Sequence, residues 1–203
     1  SGAPVFLLGE RMGVAVVLTS LASAPLDVDG IVLLSPAVWS RSNMPYYQRF
    51  ELWVAVNTFP GVQVTGKGLD IRPSDNIDML RALGRDDLVI KATRIDALYG
   101  ISNLMDRAML ASNNASGNIL LLYGEQDEII PAPPTCEFFD RLSSSSTTRL
   151  TAITYEHGYH MLTRDLQAAV VMEDIASWIT KHETSGNPGG DMRSYCARVN
   201  GAD

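Results

Sequence analysis

The chain has 203 residues, 46% hydrophobic and 19% charged, which suits a soluble globular α/β core with room for an inserted subdomain. A net charge of −7 argues against a nucleic-acid partner, which needs a phosphate-neutralising basic face; no run approaches the roughly 18 apolar residues of a membrane span, so no stable membrane insertion is expected. Cys136 and Cys196 form neither a disulfide framework nor a metal-ligand spacing, so idle or buried thiols, no metal and no cofactor are expected; no leader pattern is visible, and the expected location is cytoplasmic.

Val5-Phe6-Leu7-Leu8 is an apolar strand that stops at Gly9, and Gly13 follows after Glu10, Arg11 and Met12. An apolar helical pattern then runs from Met12 to Ser23, closed by Ala24-Pro25. This helix is apolar nearly all round and is expected to be buried. The layout is that of a strand-to-helix elbow, G-x-S-x-G, with Arg11 where the serine belongs. Both glycines are expected to serve the close approach of strand and helix, where a Cβ would collide. A phosphate-binding reading of Gly9–Gly13 lacks the Lys-Ser/Thr pair and the third spaced glycine. Gly30–Leu34 reads as the next, fully buried parallel strand. Ser35, ahead of Pro36, reads as a structural loop serine.

Residues 41–114 depart from strand–helix alternation. Pro45–Phe59 predicts an aromatic-rich amphipathic helix, Gly61–Pro73 a glycine-spaced loop, and Ser74 or Asp75 the cap of a short helix through Leu83. Ile95, Leu98, Met105 and Met109 mark one face of a longer helix. The block reads as a helical cap inserted over the sheet edge. Its aromatics either pack it onto the core or line a pocket, with Trp39 and Tyr46 the candidate pocket walls.

Asn113–Gly117 is a turn cluster that returns the chain to a buried strand, Ile119–Tyr123. Gly124-Glu125-Gln126-Asp127-Glu128-Ile129-Ile130-Pro131 follows directly, then a helix over Pro134–Leu142 and a serine-rich surface loop. A second strand, Leu150–Tyr155, leads into Glu156-His157-Gly158-Tyr159-His160. Asp127 and His160 thus lie beyond strand C-termini, where parallel sheets place their sites. His157 reads as a solvated loop residue. Thr163 is expected to cap a helix to about His182, with Leu166, Val170, Ile175, Trp178 and Ile179 as its packing face and His182 favoured at its end by the dipole. Residues 183–203 carry glycine clusters and no apolar period, and disorder is expected there.

The Gly9–Gly13 elbow, Val32-Leu33-Leu34-Ser35-Pro36, Tyr123-Gly124-Glu125-Gln126-Asp127 and Gly158-Tyr159-His160 together resemble the monoacylglycerol lipase and lysophospholipase branch of the α/β-hydrolases, whose domain is also labelled serine aminopeptidase S33. The resemblance runs from about Pro4 to about Trp178. It implies a partial α/β-hydrolase fold: a parallel sheet flanked by helices (1–40 and 115–182) and a helical cap (41–114), ahead of the tail (183–203) whose composition predicts disorder. It also implies Asp127 as triad acid, His160 as triad base, the Met12 N–H as an oxyanion donor, and a small acyl ester or lipid as substrate in active relatives. The family has a serine at position 11, usually a glycine at position 14, where this chain has Val14, and earlier strands with a His-Gly loop that gives a second oxyanion donor. Without those strands Val5–Leu8 would be an open edge, able to pair two copies of the chain.

Arg11 cannot act as a nucleophile, because its guanidinium stays protonated. Glu10 or Asp127 could offset its charge. Three readings stand: natural loss of the nucleophile, an engineered or mis-read position, or a coincidental elbow. The first two give a serine-hydrolase relative that is inactive as written, with arginine at position 11. A non-catalytic module that binds a lipid or small ligand is the alternative.

Overall fold

The computed structural model describes residues 2–24, 26–66, 68–181 and 190–201. Its centre is a five-stranded sheet in the order β1 (Phe6–Glu10), β2 (Gly30–Leu34), β5 (Gly117–Gly124), β6 (Thr148–Tyr155) and β7 (Gly190–Asp191). The first four strands are parallel, and β7 runs antiparallel to β6. A two-stranded antiparallel ribbon, β3 (Gln63–Val64) with β4 (Thr93–Arg94), lies in the long connection between β2 and β5. Gly61–Pro73, expected as loop alone, supplies one of its strands.

Side chains alternate across the sheet and sort into two cores. Ile31, Leu33, Ile119, Leu121 and Tyr123 face one way, onto α1 (Met12–Ser23), α4 (Ile95–Ala111), α5 (Ala132–Ser143) and α7 (Met192–Asn200). Val32, Leu34, Leu120, Leu122, Ile153 and Tyr155 face the other way, onto α6 (Ala168–Lys181). Burial on both faces explains the unbroken apolar runs of β2 and β5. The helix after the elbow is less enclosed than expected: Val14, Ala15, Leu18 and Thr19 are buried, but Val16 is exposed. Its apolar surround exceeds what the sheet and α4 cover.

The connection between β2 and β5 carries α2 (Tyr46–Thr58), α3 (Ile77–Arg85) and α4. The helix α4 packs on α1 and brings Ala108 and Met109 into the core. By contrast α2 buries no residue, and Tyr46, Tyr47, Phe50 and Trp53 are each more than half exposed. The aromatic stripe therefore does not pack this helix onto the core. Asn76, not Ser74 or Asp75, caps α3 by accepting from the Met79 N–H at 3.1 Å. Thr163 likewise caps nothing, because α6 begins five residues later, at Ala168. Leu166 is exposed, and Val171 joins Ile175 and Trp178 on the buried face of α6.

Two expectations about the C-terminus are overturned. Cys136 and Cys196 are not free: their sulfurs are bonded at 2.08 Å, tying α5 to α7. Nor is all of 183–203 without structure. Gly190–Asp191 adds an edge to the sheet, and α7 buries Met192, Tyr195 and Cys196. Asp191 caps that helix from its side chain, accepting from the Ser194 N–H at 3.0 Å. His182, the remainder of 183–189, and the Pro25 stop lie outside the described residues.

Candidate active site

At the elbow, β1 turns into α1 through a single residue. Arg11 has φ 55° and ψ −118°, a left-handed conformation that a residue with a Cβ enters at a cost of about 1–3 kcal/mol. Three backbone hydrogen bonds hold it. The Arg11 N–H donates to Leu34 O at 2.9 Å, and the Arg11 carbonyl accepts from Val14 at 3.1 Å and Ala37 at 3.3 Å. The two glycines are not equivalent. A Cβ on Gly9 would stand 2.8 Å from backbone atoms of Gly13 and Val14, whereas one on Gly13 would meet nothing within 4 Å. Only Gly9 is needed for close approach; the collision expected at Gly13 does not occur.

The Arg11 Nε lies 3.8 Å from Glu10 Oε1, with its side chain about a third exposed. The same Glu10 oxygen accepts from Thr163 Oγ1 at 2.8 Å, which ties the elbow to the segment just after His160. Of the two partners anticipated for Arg11, Glu10 is the one its guanidinium approaches. Ser35 is buried at φ 42°, and among the described residues its Oγ is the buried side-chain polar atom without a hydrogen-bond partner.

The loop after β5 and the loop after β6 meet backbone to backbone. A Cβ on Gly124 would collide with the carbonyl group of Gly158, so glycine is required at that approach. Main-chain bonds stitch the loops together: Glu125 N–H to Tyr155 O and Gln126 N–H to Gly158 O, each at 2.9 Å. This seam brings Asp127 and His160 together, 33 residues apart in sequence, with His160 Nδ1 2.7 Å from Asp127 Oδ2. Both are buried, at 7% and 6% exposure. The other carboxylate oxygen, Oδ1, accepts from the N–H groups of Ile129 and Ile130, each at 2.9 Å. An ionised carboxylate only accepts, so a hydrogen bond at this contact puts a proton on Nδ1, and in the neutral imidazole the lone pair then lies on Nε2. Tyr123 closes the acid loop from below, its hydroxyl donating to Ile130 O at 3.0 Å. Burial, then the nearby Asp127 carboxylate, push the Tyr123 phenol well above its usual range, so it stays a donor.

Met12 opens α1, so its N–H belongs to the first helical turn, whose donors have no acceptor within the helix. Trp39 is partly buried and, like Met12 and Ile129, packs against the small core of Ala37, Met105 and Ile130. Tyr46 is elsewhere. It is 79% exposed and lines a groove of about 710 Å³ with Arg49, Phe50 and Trp53, a groove that neither Arg11, Asp127 nor His160 borders. His157 is exposed. Among the described residues no cluster of three His, Cys, Asp or Glu could hold a metal, and no helix is long and apolar enough to cross a membrane. One residue of this site was not singled out in the sequence: Asp165 is buried and accepts from the Tyr159 N–H beside the histidine at 2.7 Å.

The sequence profile of the serine aminopeptidase S33 family matches residues 1–167. A curated monoacylglycerol lipase of Mycolicibacterium smegmatis is 26% identical over 193 residues, covering 88% of this chain and 63% of its own. A crystal structure of Paleococcus ferrophilus monoacylglycerol lipase superposes with a TM-score of 0.70 at 23% identity, covering 90% of this chain and 70% of that one. A soluble variant of monoglyceride lipase from Saccharomyces cerevisiae, in complex with a substrate analogue, superposes with a TM-score of 0.65 at 16% identity, covering 91% and 64%. The two superpositions establish the α/β-hydrolase fold. The chain spans about 60% of the length of the curated relatives it matches.

Proposed function

We propose that this chain, which belongs to the serine aminopeptidase S33 family, keeps the acid and base of a carboxylic ester hydrolase of monoacylglycerol lipase type around a nucleophile position that Arg11 disables. The observation that carries this reading is the buried His160 Nδ1–Asp127 Oδ2 contact at 2.7 Å in a fold whose elbow apex keeps φ 55°. In a relative with serine at position 11, the His160 Nε2 lone pair would take the hydroxyl proton as the oxygen attacks the ester carbonyl. Asp127 would hold the tautomer and stabilise the imidazolium, and the Met12 N–H would donate to the developing oxyanion. Arginine at the apex has no proton to yield at ordinary pH and no nucleophilic lone pair. Trp39, packed against the same Ala37–Met105–Ile130 cluster as Met12 and Ile129, is the proposed wall of the acyl site. Residues 41–114 are the proposed cap, rooted on the core through α4.

The test is fluorophosphonate labelling together with p-nitrophenyl butyrate hydrolysis. No labelled serine and no hydrolysis above background are expected from the chain as it stands. Robust labelling at any serine overturns the reading.

The groove beside α2 favours a second, non-catalytic reading. Its volume of about 710 Å³ and its lining by Tyr46, Phe50 and Trp53 with Arg49 suit an amphiphile with an anionic head. A thermal shift with fatty acids, abolished by Trp53→Ala, supports that reading; no shift at millimolar fatty acid removes it.

A further inference from the structure

His160 is held at its imidazole by Asp127, but its backbone is held by a different part of the molecule. The residue before it, Tyr159, donates its N–H to Asp165 Oδ2 at 2.7 Å, and the residue after it, Met161, donates its N–H to Pro73 O at 3.0 Å. Asp165 uses its other oxygen, Oδ1, to accept from the Ser74 hydroxyl at 2.6 Å. Both Asp165 and Ser74 are buried, at 4% and 0% exposure. Two more bonds continue the seam on its wetter side: Leu166 N–H to Asp75 Oδ1 at 2.8 Å, and Asn76 Nδ2 to Arg164 O at 3.1 Å. Residues 73–76 thus lie along the histidine loop as a strap, and they come from the long insertion between β2 and β5.

We propose that Asp165 and Ser74 are positioning residues for His160: a buried hydroxyl–carboxylate clasp through which the inserted segment fixes the backbone on both sides of the base. This rests on the reading of His160 as the base paired with Asp127.

The physical case is one of matched donors. A buried carboxylate is tolerated only where donors satisfy it. Here the two donors whose bonds are seen are a side chain of the strap and the peptide that opens the histidine step. The carboxylate therefore cannot keep both unless strap and loop are in register. With the clasp closed, the imidazole can turn only about its own side-chain torsions, and the Asp127 bond settles those. With it open, the loop can withdraw from the Gly124–Gly158 seam and carry Nδ1 away from Asp127. The insertion is then part of the seat of the base as well as a cover over it.

The experiment is NMR on the full chain, reading the hydrogen-bonded Nδ1 proton of His160 and the amide exchange of Tyr159 and Met161. Loss of the Nδ1 proton signal and faster exchange at both amides are expected in Asp165→Ala and, to a smaller degree, in Ser74→Ala. Asp165→Asn, which can still accept from Tyr159 and donate to Ser74, retains both. Ile119→Val, at the far end of β5, lowers stability without touching the loop and leaves both readouts as in the parent. Should Asp165→Ala fail to fold, Ser74→Ala decides. Parental signals in the folded alanine variants, or their equal loss in Ile119→Val, overturn the proposal. A parent with no bonded Nδ1 proton sinks the acid–base pair instead. The clasp is then decided by the two amides alone, which quicken in Ser74→Ala if it exists and stay unchanged if it does not.

Discussion

Opening the Cys136–Cys196 bond tests how much of the acid loop's order depends on the C-terminal helix. The bond joins residues 60 apart. In the chain-entropy treatment a crosslink of that span removes unfolded-state freedom worth about 4 kcal/mol at 25 °C. For a chain of this size each kcal/mol moves Tm by about 2–4 °C, so complete reduction or the Cys136→Ala/Cys196→Ala pair should lower Tm by about 10 °C. The effect should reach the site. The Tyr195 ring lies 5.9 Å from that of Tyr123, whose hydroxyl holds the acid loop, and Arg198 Nη2 lies 3.8 Å from Glu125 Oε2. In a reducing compartment α7 would have to stay in place by packing alone. The assay is a thermal scan by circular dichroism with and without reductant, alongside thiol titration and amide exchange at Ile129 and Ile130. A Tm that does not move when two thiols become titratable would refute the reasoning, as would two free thiols in the unreduced, folded protein.

The two elbow glycines should respond in opposite directions. Gly9→Ala places a methyl against fixed backbone and should cost about 1–3 kcal/mol in urea melts. Gly13→Ala, in open space within the first turn of α1, should be neutral or stabilising by up to about 1 kcal/mol; equal losses would show that the elbow is packed differently. Asp165 gives a pH signature. Burial first, with some contribution from the Asp75 and Asp127 carboxylates, raises its pKa above the ordinary value in spite of the Ser74 and Tyr159 donors. The folded state therefore takes up this proton before the unfolded state does. As pH falls through the raised value towards the ordinary aspartate value, stability relative to Asp165→Asn should rise, then level off; a relative fall over that window contradicts the assignment. The β1 edge, with Val5 and Leu8 each 53% exposed, should self-associate in gel filtration as concentration rises, and Leu8→Lys should abolish this. A monomer at every concentration, with a high cooperative melt, would count against an adhesive edge.

Much of this architecture is legible in local pattern. Continuous apolar runs mark β2 and β5 because both faces of those strands are covered. Asp127 and His160 are legible because each follows such a run with a glycine beside it, and the seam that unites them is made by those glycines. What escaped was non-local or ambiguous. Ser74, Asp75 and Asn76 are three good cap residues in a row, and propensity cannot choose among them. The choice is made by the histidine loop, which engages Ser74 and Asp75 and leaves Asn76 for α3. Thr163 is diverted from capping in the same way by Glu10. The tail helix did carry a signal, since Met192, Tyr195, Cys196 and Val199 stand at i, i+3, i+4 and i+7, but the glycines just before it mask so short a period. The aromatic stripe of α2 shows that a helix wants a partner; it does not show that the described residues supply one.

The decisive position is legible and still paradoxical. Arg11 occupies a strained backbone conformation at a helix N-terminus, where a positive charge is disfavoured by a few tenths to about 1 kcal/mol. Glu10 at best cancels this, because a pair 3.8 Å apart and about a third exposed contributes at most about 1 kcal/mol. Nothing at residue 11 itself therefore favours the bend. Its neighbours impose it: the bare Cα of Gly9 against the Gly13 backbone, and the bonds from residue 11 to Leu34, Val14 and Ala37. None of these depends on the side chain at the apex. The bend is thus held independently of the side chain at residue 11, and Asp127 and His160 are held in register by a different seam, the one between Gly124 and Gly158. On the reading proposed above, the Asp127–His160 pair can therefore persist whatever side chain stands at position 11, and that pair alone is weak evidence of activity.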